Sequence, residues 1–279
     1  MGLKPIKQFG QHFLIDESLA EEIVKAADIN TSDPVWEIGP GKGVLTKRIL
    51  NLTDNLTAFE IDTRLIALLT NQFGMGLKLI NRDILACDWH DLLEQNFLES
   101  GKKAVLVSNL PYQITSPILY RVEENACWID RAVFMMQREV AQRLTASPGK
   151  KAYGVLTLKL CHSFVIEHLF DVPPIAFDPP PQVFSSVIRL IPRQDKPKLK
   201  SLDMYFKIIH TAFNHRRKNL KNNLKELFSN DMLRELELTS GIDFNRRGET
   251  IDETEFVHLA DCVCRLTDAQ SGSEQRFQP

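Results

Sequence analysis

Five cysteines in 279 residues, odd in number and scattered at Cys87, Cys127, Cys161, Cys262 and Cys264, include no C-x-x-C pair. Such spacing offers neither a disulfide framework nor a zinc knuckle, so the thiols are expected to be reduced. The seven histidines contain no H-x-x-x-H pair, and no metal site is expected. No apolar run approaches the ~20 residues of a membrane helix, and the first residues, with Lys4 and Lys7, lack the apolar core of a secretory signal. A cytoplasmic, membrane-free protein is the expectation. The net charge is only −2, too small to announce a polyanionic partner by itself. One stretch, however, has no acid at all. Between Met204 and Lys225 only Lys207, Arg216, Arg217, Lys218, Lys221 and Lys225 are charged, with His210 and His215 beside them.

What is present is a core. Hydrophobic residues make up 43% of the chain, enough for one large domain and a small one. From Val35 to about Pro192, short apolar runs alternate with amphipathic stretches, the βαβ rhythm of a mainly parallel sheet. Strands are predicted at Val35–Gly39, Leu56–Ile61, Leu77–Asn81, Ala104–Ser108 and Ala132–Met136. Phe164–Val172 and Ser186–Ile191 read as two more, joined through the proline-rich Pro173–Pro181 as an antiparallel edge pair. After Pro192 comes a charged linker, 193–200. Beyond it only helical periodicity remains, through Phe206, Ile209, Phe213, Leu220 and Leu224 and again over 231–238 and 252–266. The expected fold is α/β, with a 1–192 domain, an all-helical 201–267 domain suited by its basic run to RNA, and a polar disordered tail, 268–279.

Three successive strand ends carry polar signals. The first runs into Glu37-Ile38-Gly39-Pro40-Gly41-Lys42-Gly43, a glycine turn opening a helix near Val44, as a nucleotide-type ligand requires. It departs from G-x-G-x-x-G because the third glycine comes one residue early. The second ends at Glu60-Ile61-Asp62, where Glu60 can accept from both hydroxyls of a ribose and Asp62 is expected to cap the next helix. The third ends at Asp83, placed to accept from an adenine amino group of the same ligand.

The fourth strand enters Asn109-Leu110-Pro111-Tyr112. An exocyclic adenine amine is a poor nucleophile until it pyramidalises, and two acceptors on its N–H bonds favour that shape. The Asn109 side-chain oxygen and the Leu110 carbonyl can supply them, with Pro111 stiffening the turn and Tyr112 offering a stacking face. With a sulfonium as methyl donor, no metal or strong base is needed. A base held this way has left its stack, so a second aromatic is expected opposite Tyr112. Phe177, in Phe177-Asp178-Pro179-Pro180-Pro181, is the candidate, with Phe184 as the alternative.

With these segments placed, the chain resembles the ribosomal RNA adenine dimethyltransferases, in particular the bacterial small-subunit, kasugamycin-sensitivity type. The likeness runs from Lys7 to Leu266. It includes Lys7-Gln8-Phe9-Gly10-Gln11-His12-Phe13-Leu14, the Glu37–Gly43 loop, Glu60-Ile61-Asp62, the Asn109–Tyr112 tetrapeptide, Met136-Gln137-Arg138-Glu139-Val140-Ala141 and Ala212-Phe213-Asn214-His215-Arg216-Arg217-Lys218. The resemblance implies a Rossmann-like S-adenosylmethionine-dependent methyltransferase domain and a small helical C-terminal domain. It further implies double methylation of two adjacent adenosines in a 3′-terminal hairpin of small-subunit rRNA, in an immature 30S subunit, by a monomer. Carried over by position, the cofactor residues are His12, Leu14, Gly39, Glu60, Asp83 and Asn109. At position 12 the family usually has Asn. Residues 1–16 are then expected to fold over the cofactor. Two other readings are a large-subunit methyltransferase of the macrolide-resistance type and a ribosome-assembly factor whose methylation is secondary.

Overall fold

A computed structural model describes residue 5 and residues 10–274, with side chains to residue 268; Lys7, Gln8 and Phe9 of the N-terminal segment lie outside the described residues. The chain divides into two units, residues 1–145 with 163–193, and 146–162 with 194–279.

The first unit opens with β1 (Phe13–Leu14) and α1 (Glu17–Ala26), then alternates. β2 (Val35–Ile38) leads to α2 (Val44–Ile49), β3 (Leu56–Glu60) to α3 (Thr63–Phe73), β4 (Lys78–Asn81) to α4 (Trp89–Ser100), and β5 (Ala104–Asn109) to α5 (Thr115–Glu124). β6 (Ile129–Gln137) enters α6 (Arg138–Leu144) directly, and after α7 (Val155–Ser163) come β7 (Phe164–Val172), β8 (Phe177–Asp178) and β9 (Ser185–Pro192). Seven strands form one sheet in the order β4-β3-β2-β5-β6-β9-β7. The first five are mutually parallel, and β9 runs antiparallel to both β6 and β7. The expected edge pair is thus present, with β7 outermost. Its central strands are apolar over most of their length because both faces are covered: every residue of β2 and β3 is buried, as are 104–108 of β5. Trp36, 1% exposed, donates its indole N–H to Asn96 Oδ1 at 2.6 Å.

The strand order reverses between β2 and β5, which both follow their own crossovers away from one another. A crevice opens at the carboxyl ends of strands where such a reversal occurs. A second, two-residue sheet stands apart: β1 pairs antiparallel with β8, Phe13 opposite Asp178 and Leu14 opposite Phe177.

The second unit holds most of α7 with α8 (Leu202–Asn214), α9 (Leu220–Leu224), α10 (Asn230–Ser240) and α11 (Glu253–Glu274). Its core gathers Tyr153, Leu158, Tyr205, Ile208, Leu233, Phe244 and Phe256. Two expectations are corrected here. Residues 146–162 belong with the helical unit, because Tyr153 and Leu158 pack in its core and the Tyr153 hydroxyl donates to the Ile251 carbonyl at 2.9 Å. Residues 268–274, expected to be disordered, continue α11 as helix; adding a turn to an existing helix avoids the cost of nucleation. The basic run is not one helix either. It breaks at residues 215–219 between α8 and α9, and part of its charge is matched by Glu249 at 3.0 Å from Arg216 and Glu237 at 3.9 Å from Lys221. Among the described residues no helix is long and apolar enough to cross a membrane.

Candidate active site

The crevice at the strand ends is a cavity of ≈ 300 Å³, within the range of small-molecule sites. Its wall is drawn from the ends of β2, β3, β4 and β5 and from residues 10–14. His12, Leu14, Gly39, Glu60, Asp83, Asn109, Leu110, Pro111 and Tyr112 all line it. Phe177 does not.

The glycine turn is held from both sides. Glu37, at the end of β2, accepts from the Thr46 hydroxyl of α2 at 2.7 Å, closing the loop between them. Gly39 has φ +66°, which favours glycine, and a Cβ there would sit in ordinary contact with Pro111 Cγ at 3.4 Å, so the turn lies against the tetrapeptide. Complete burial of the Glu37 carboxyl, with the Glu60 charge adding to the effect against the Thr46 bond, pushes its pKa up to about 8. Glu60 is raised for the same first reason, burial, although its Oε1 accepts from the Asp62 amide at 2.9 Å.

Asp62 is the helix cap that its place before Thr63 suggested. Its carboxylate accepts from the Arg64 amide at 3.0 Å, from the Arg64 guanidinium at 2.7 Å and from Gln11 at 3.0 Å. The Arg64 bond, ahead of the others, holds its pKa at about 2. Asp83 opens a short 3₁₀ turn, one oxygen accepting from the Leu85 amide at 2.9 Å.

The tetrapeptide leaves β5 still in register with β6, since the Leu110 amide donates to the Met135 carbonyl at 2.9 Å. Asn109 Nδ2 donates to the main-chain carbonyl of His12 at 3.2 Å. A carbonyl can only accept, so this contact fixes which end of the amide faces it and leaves Oδ1 as the acceptor. Pro111 tightens the turn by accepting from the Ile114 amide and the Thr115 hydroxyl, both at 3.1 Å. α5 starts beyond it with Ile114 at its N-cap, so Asn109 is not a helix cap. The Tyr112 hydroxyl shares a 2.7 Å hydrogen bond with Ser185 Oγ, and burial raises its phenol pKa.

Neither ring expected opposite Tyr112 stands at the cavity. Phe177 is 2% exposed, because its pairing with Leu14 turns it into the core beside Val172 and Ala176. Phe184 lies outside the cavity, 41% exposed under the Arg138 guanidinium. The ring stacked on Tyr112 is His12, with centroids 5.6 Å apart and planes inclined by 28°, and its Nδ1–H donates to the Pro179 carbonyl at 2.7 Å. Sequence reasoning also passed over Ser185, Gln11 and Lys42. Lys42 rides on the Phe13 ring at 4.6 Å and meets Asp178 at 3.6 Å, joining the glycine turn to β8. Gln11 and Lys42 lay in segments that the sequence had marked, whereas Ser185 did not.

The family model for ribosomal RNA adenine dimethylases matches residues 3–263. This chain belongs to that family. Within the dimethylase family it is similar to ribosomal RNA small subunit methyltransferase A of Shewanella sp. (strain MR-7), 39% identical over 262 residues, 92% of this chain and 94% of the relative. The protein of the same name from Alkaliphilus metalliredigens (strain QYMF) is 40% identical over 259 residues, 91% and 90% of the two chains. A crystal structure of a dimethyladenosine transferase from Plasmodium falciparum is similar with a TM-score of 0.72 at 26% identity, over 89% of this chain and 96% of that one. The fold also matches that of the 23S rRNA methyltransferase ErmE, with a TM-score of 0.69 at 24% identity over 90% and 99%. Dimethylases of this family take their methyl group from S-adenosylmethionine. The donor set suits that molecule: two carboxylates at successive strand ends for ribose and adenine, an apolar wall of Ile61 and Ile84, and a glycine turn at a helix start.

Proposed function

We propose that this chain transfers methyl groups to the 6-amino groups of two adjacent adenosines in a 3′-terminal hairpin of small-subunit rRNA, two per base, acting as a cytoplasmic monomer on an immature 30S subunit. The small-subunit address rests on the relatives at 39% and 40% identity. The chemistry rests on one observation, the orientation of the Asn109 amide by the His12 carbonyl.

Bound in the cavity, S-adenosylmethionine would supply a methyl group on a sulfonium, the C–S bond breaking as N–C forms and a neutral thioether leaving. Glu60 would accept from the ribose hydroxyls and Asp83 from the adenine amine of the cofactor, with His12, Leu14 and Gly39 among the residues that would hold it. The target adenine stacks on Tyr112, whose hydroxyl is anchored by Ser185. Its 6-amino group donates one N–H to Asn109 Oδ1 and the other to the Leu110 carbonyl. Two acceptors so placed draw both hydrogens to one side of nitrogen and free the lone pair for attack, and Pro111 keeps the two acceptors from relaxing apart. A neutral amide serves better than a carboxylate here, since a fixed negative charge would stabilise the cationic ground state. The departing proton needs no dedicated base.

Labelled methyl groups from S-adenosylmethionine should appear on unmethylated small subunits, with dimethyladenosine as the final product. Cofactor binding without that product would overturn the reading. Primer-extension mapping that placed the modification on large-subunit rRNA would favour the macrolide-resistance type instead.

A further inference from the structure

At the carboxyl end of the sheet, Phe184 is an exposed aromatic that the proposed reaction leaves without a task. It is 41% exposed and follows Val183, 46% exposed. Arg138 faces it across the strands. The β6–β9 ladder ends with Gln137 opposite Ser185, and the Arg138 amide adds one more rung by donating to the Phe184 carbonyl at 3.0 Å. The guanidinium carbon lies 4.8 Å from the Phe184 ring centroid, and its Nη1 is 3.7 Å from Asp171 Oδ2. Asp171 is itself held by Ser186 Oγ at 2.5 Å and His168 at 2.9 Å. A flat cation is therefore laid on a flat ring, and both are fixed at the backbone.

The next residue ties this pair to the cavity. Ser185 is fully buried and holds the Tyr112 hydroxyl at 2.7 Å. Successive strand residues project to opposite sides, so Ser185 turns to Tyr112 while Phe184 turns to solvent at the same strand end. A single exposed Phe is unremarkable on a protein surface. An exposed Phe pinned under an arginine, one residue from the anchor of the base-stacking tyrosine, is placed for a task.

We propose that Phe184 and Arg138 form a stacking platform for the nucleobase next to the adenosine held against Tyr112, a proposal that rests on the RNA-methylating reading above. Turning one adenosine into the cavity strips its neighbour of a stacking partner. Unstacked bases are taken up by aromatic rings and guanidinium planes, with arginine also reaching the phosphate. Since the target pair is two adjacent adenosines, the platform holds one while the other reacts.

The test uses the full chain with unmethylated small subunits and compares Phe184→Ala, Phe184→Trp and wild type. One stacked base is worth about 1–3 kcal/mol, so Phe184→Ala should raise KM for the subunit about tenfold. Cofactor affinity and melting temperature should stay those of wild type, and Phe184→Trp should restore KM. A KM within about twofold of wild type for Phe184→Ala, failure of Trp to restore it, or a parallel loss of cofactor binding would each overturn the platform. If wild type itself yields no dimethyladenosine, the underlying reading fails and the platform with it; if wild type is active and Phe184→Ala is indistinguishable from it, the platform alone fails.

Discussion

Replacing Glu37 by Gln should make the first unit more stable in mild alkali, although it removes a buried carboxyl that is hydrogen-bonded to Thr46. Burial raises this group from 4.5 to about 8, so at neutral pH the folded protein keeps a proton that the unfolded chain releases. Below pH 4.5 both states carry it and stability is unaffected. Between the two values folding must take up a proton, and each pH unit then removes about 1.4 kcal/mol of stability. From about pH 5 to about pH 8 the loss is about 3 kcal/mol. A glutamine has the shape of the protonated acid and cannot titrate, so its stability should be flat over that interval as far as this site is concerned. Glu60, also raised by burial, is present in both proteins and cancels to first order. Urea unfolding at several pH values is the assay, followed by tryptophan fluorescence. All three tryptophans, Trp36, Trp89 and Trp128, lie in the first unit, and Trp36 is the immediate neighbour of Glu37. The curves for Glu37→Gln and wild type should lie together near pH 5 and separate by about 3 kcal/mol near pH 8, with the variant above. Parallel curves would refute the reasoning, because they would mean that Glu37 is ionised in the folded protein.

The other expectations concern the tetrapeptide and the glycine turn. Asn109→Ala should lower kcat about 10²–10³-fold, the usual cost of removing one preorganised hydrogen-bonding group at a reacting centre, with small subunits still bound in a sedimentation assay; loss of subunit binding would instead make Asn109 structural. Tyr112→Phe keeps the stacking face and gives up only the bond to Ser185, so its KM for RNA should stay within about threefold, whereas Tyr112→Ala should raise it about tenfold. Gly43→Ala should cost about 2–4 kcal/mol in thermal unfolding, since the residue has φ +81° and its new Cβ would lie 2.7 Å from Phe73.

The parts legible in the sequence are those built from neighbouring residues. Glu37–Gly43, Glu60–Asp62 and Asn109–Tyr112 each sit at the end of a strand and the start of a helix, where apolar period and turn chemistry change within a few positions. The Asp62 cap could be read because its partners, the amide and side chain of Arg64, are two residues away. What failed was set at long range. Nothing in a two-residue strand such as Phe13–Leu14 has a period to detect, and its partner lies beyond most of the sheet. Without that pairing, Phe177 reads as a free ring on a stiff loop; with it, the ring is drawn into the core. The unit boundary was hidden for the same reason. Tyr153 and Leu158 are claimed by a core whose other members come after residue 200.

The bond between His12 and the Pro179 carbonyl spans 167 residues of chain. During synthesis at about 5–20 residues per second, a ribosome making this protein would add the second partner roughly ten to thirty seconds after the first. Until then the nascent chain has its glycine turn and its tetrapeptide but not the strand that pairs with Phe13 and Leu14. Residues 12–14 therefore gain their β8 partners only when residues 177–179 emerge, so the growing chain acquires its finished site only after most of the sheet has been made.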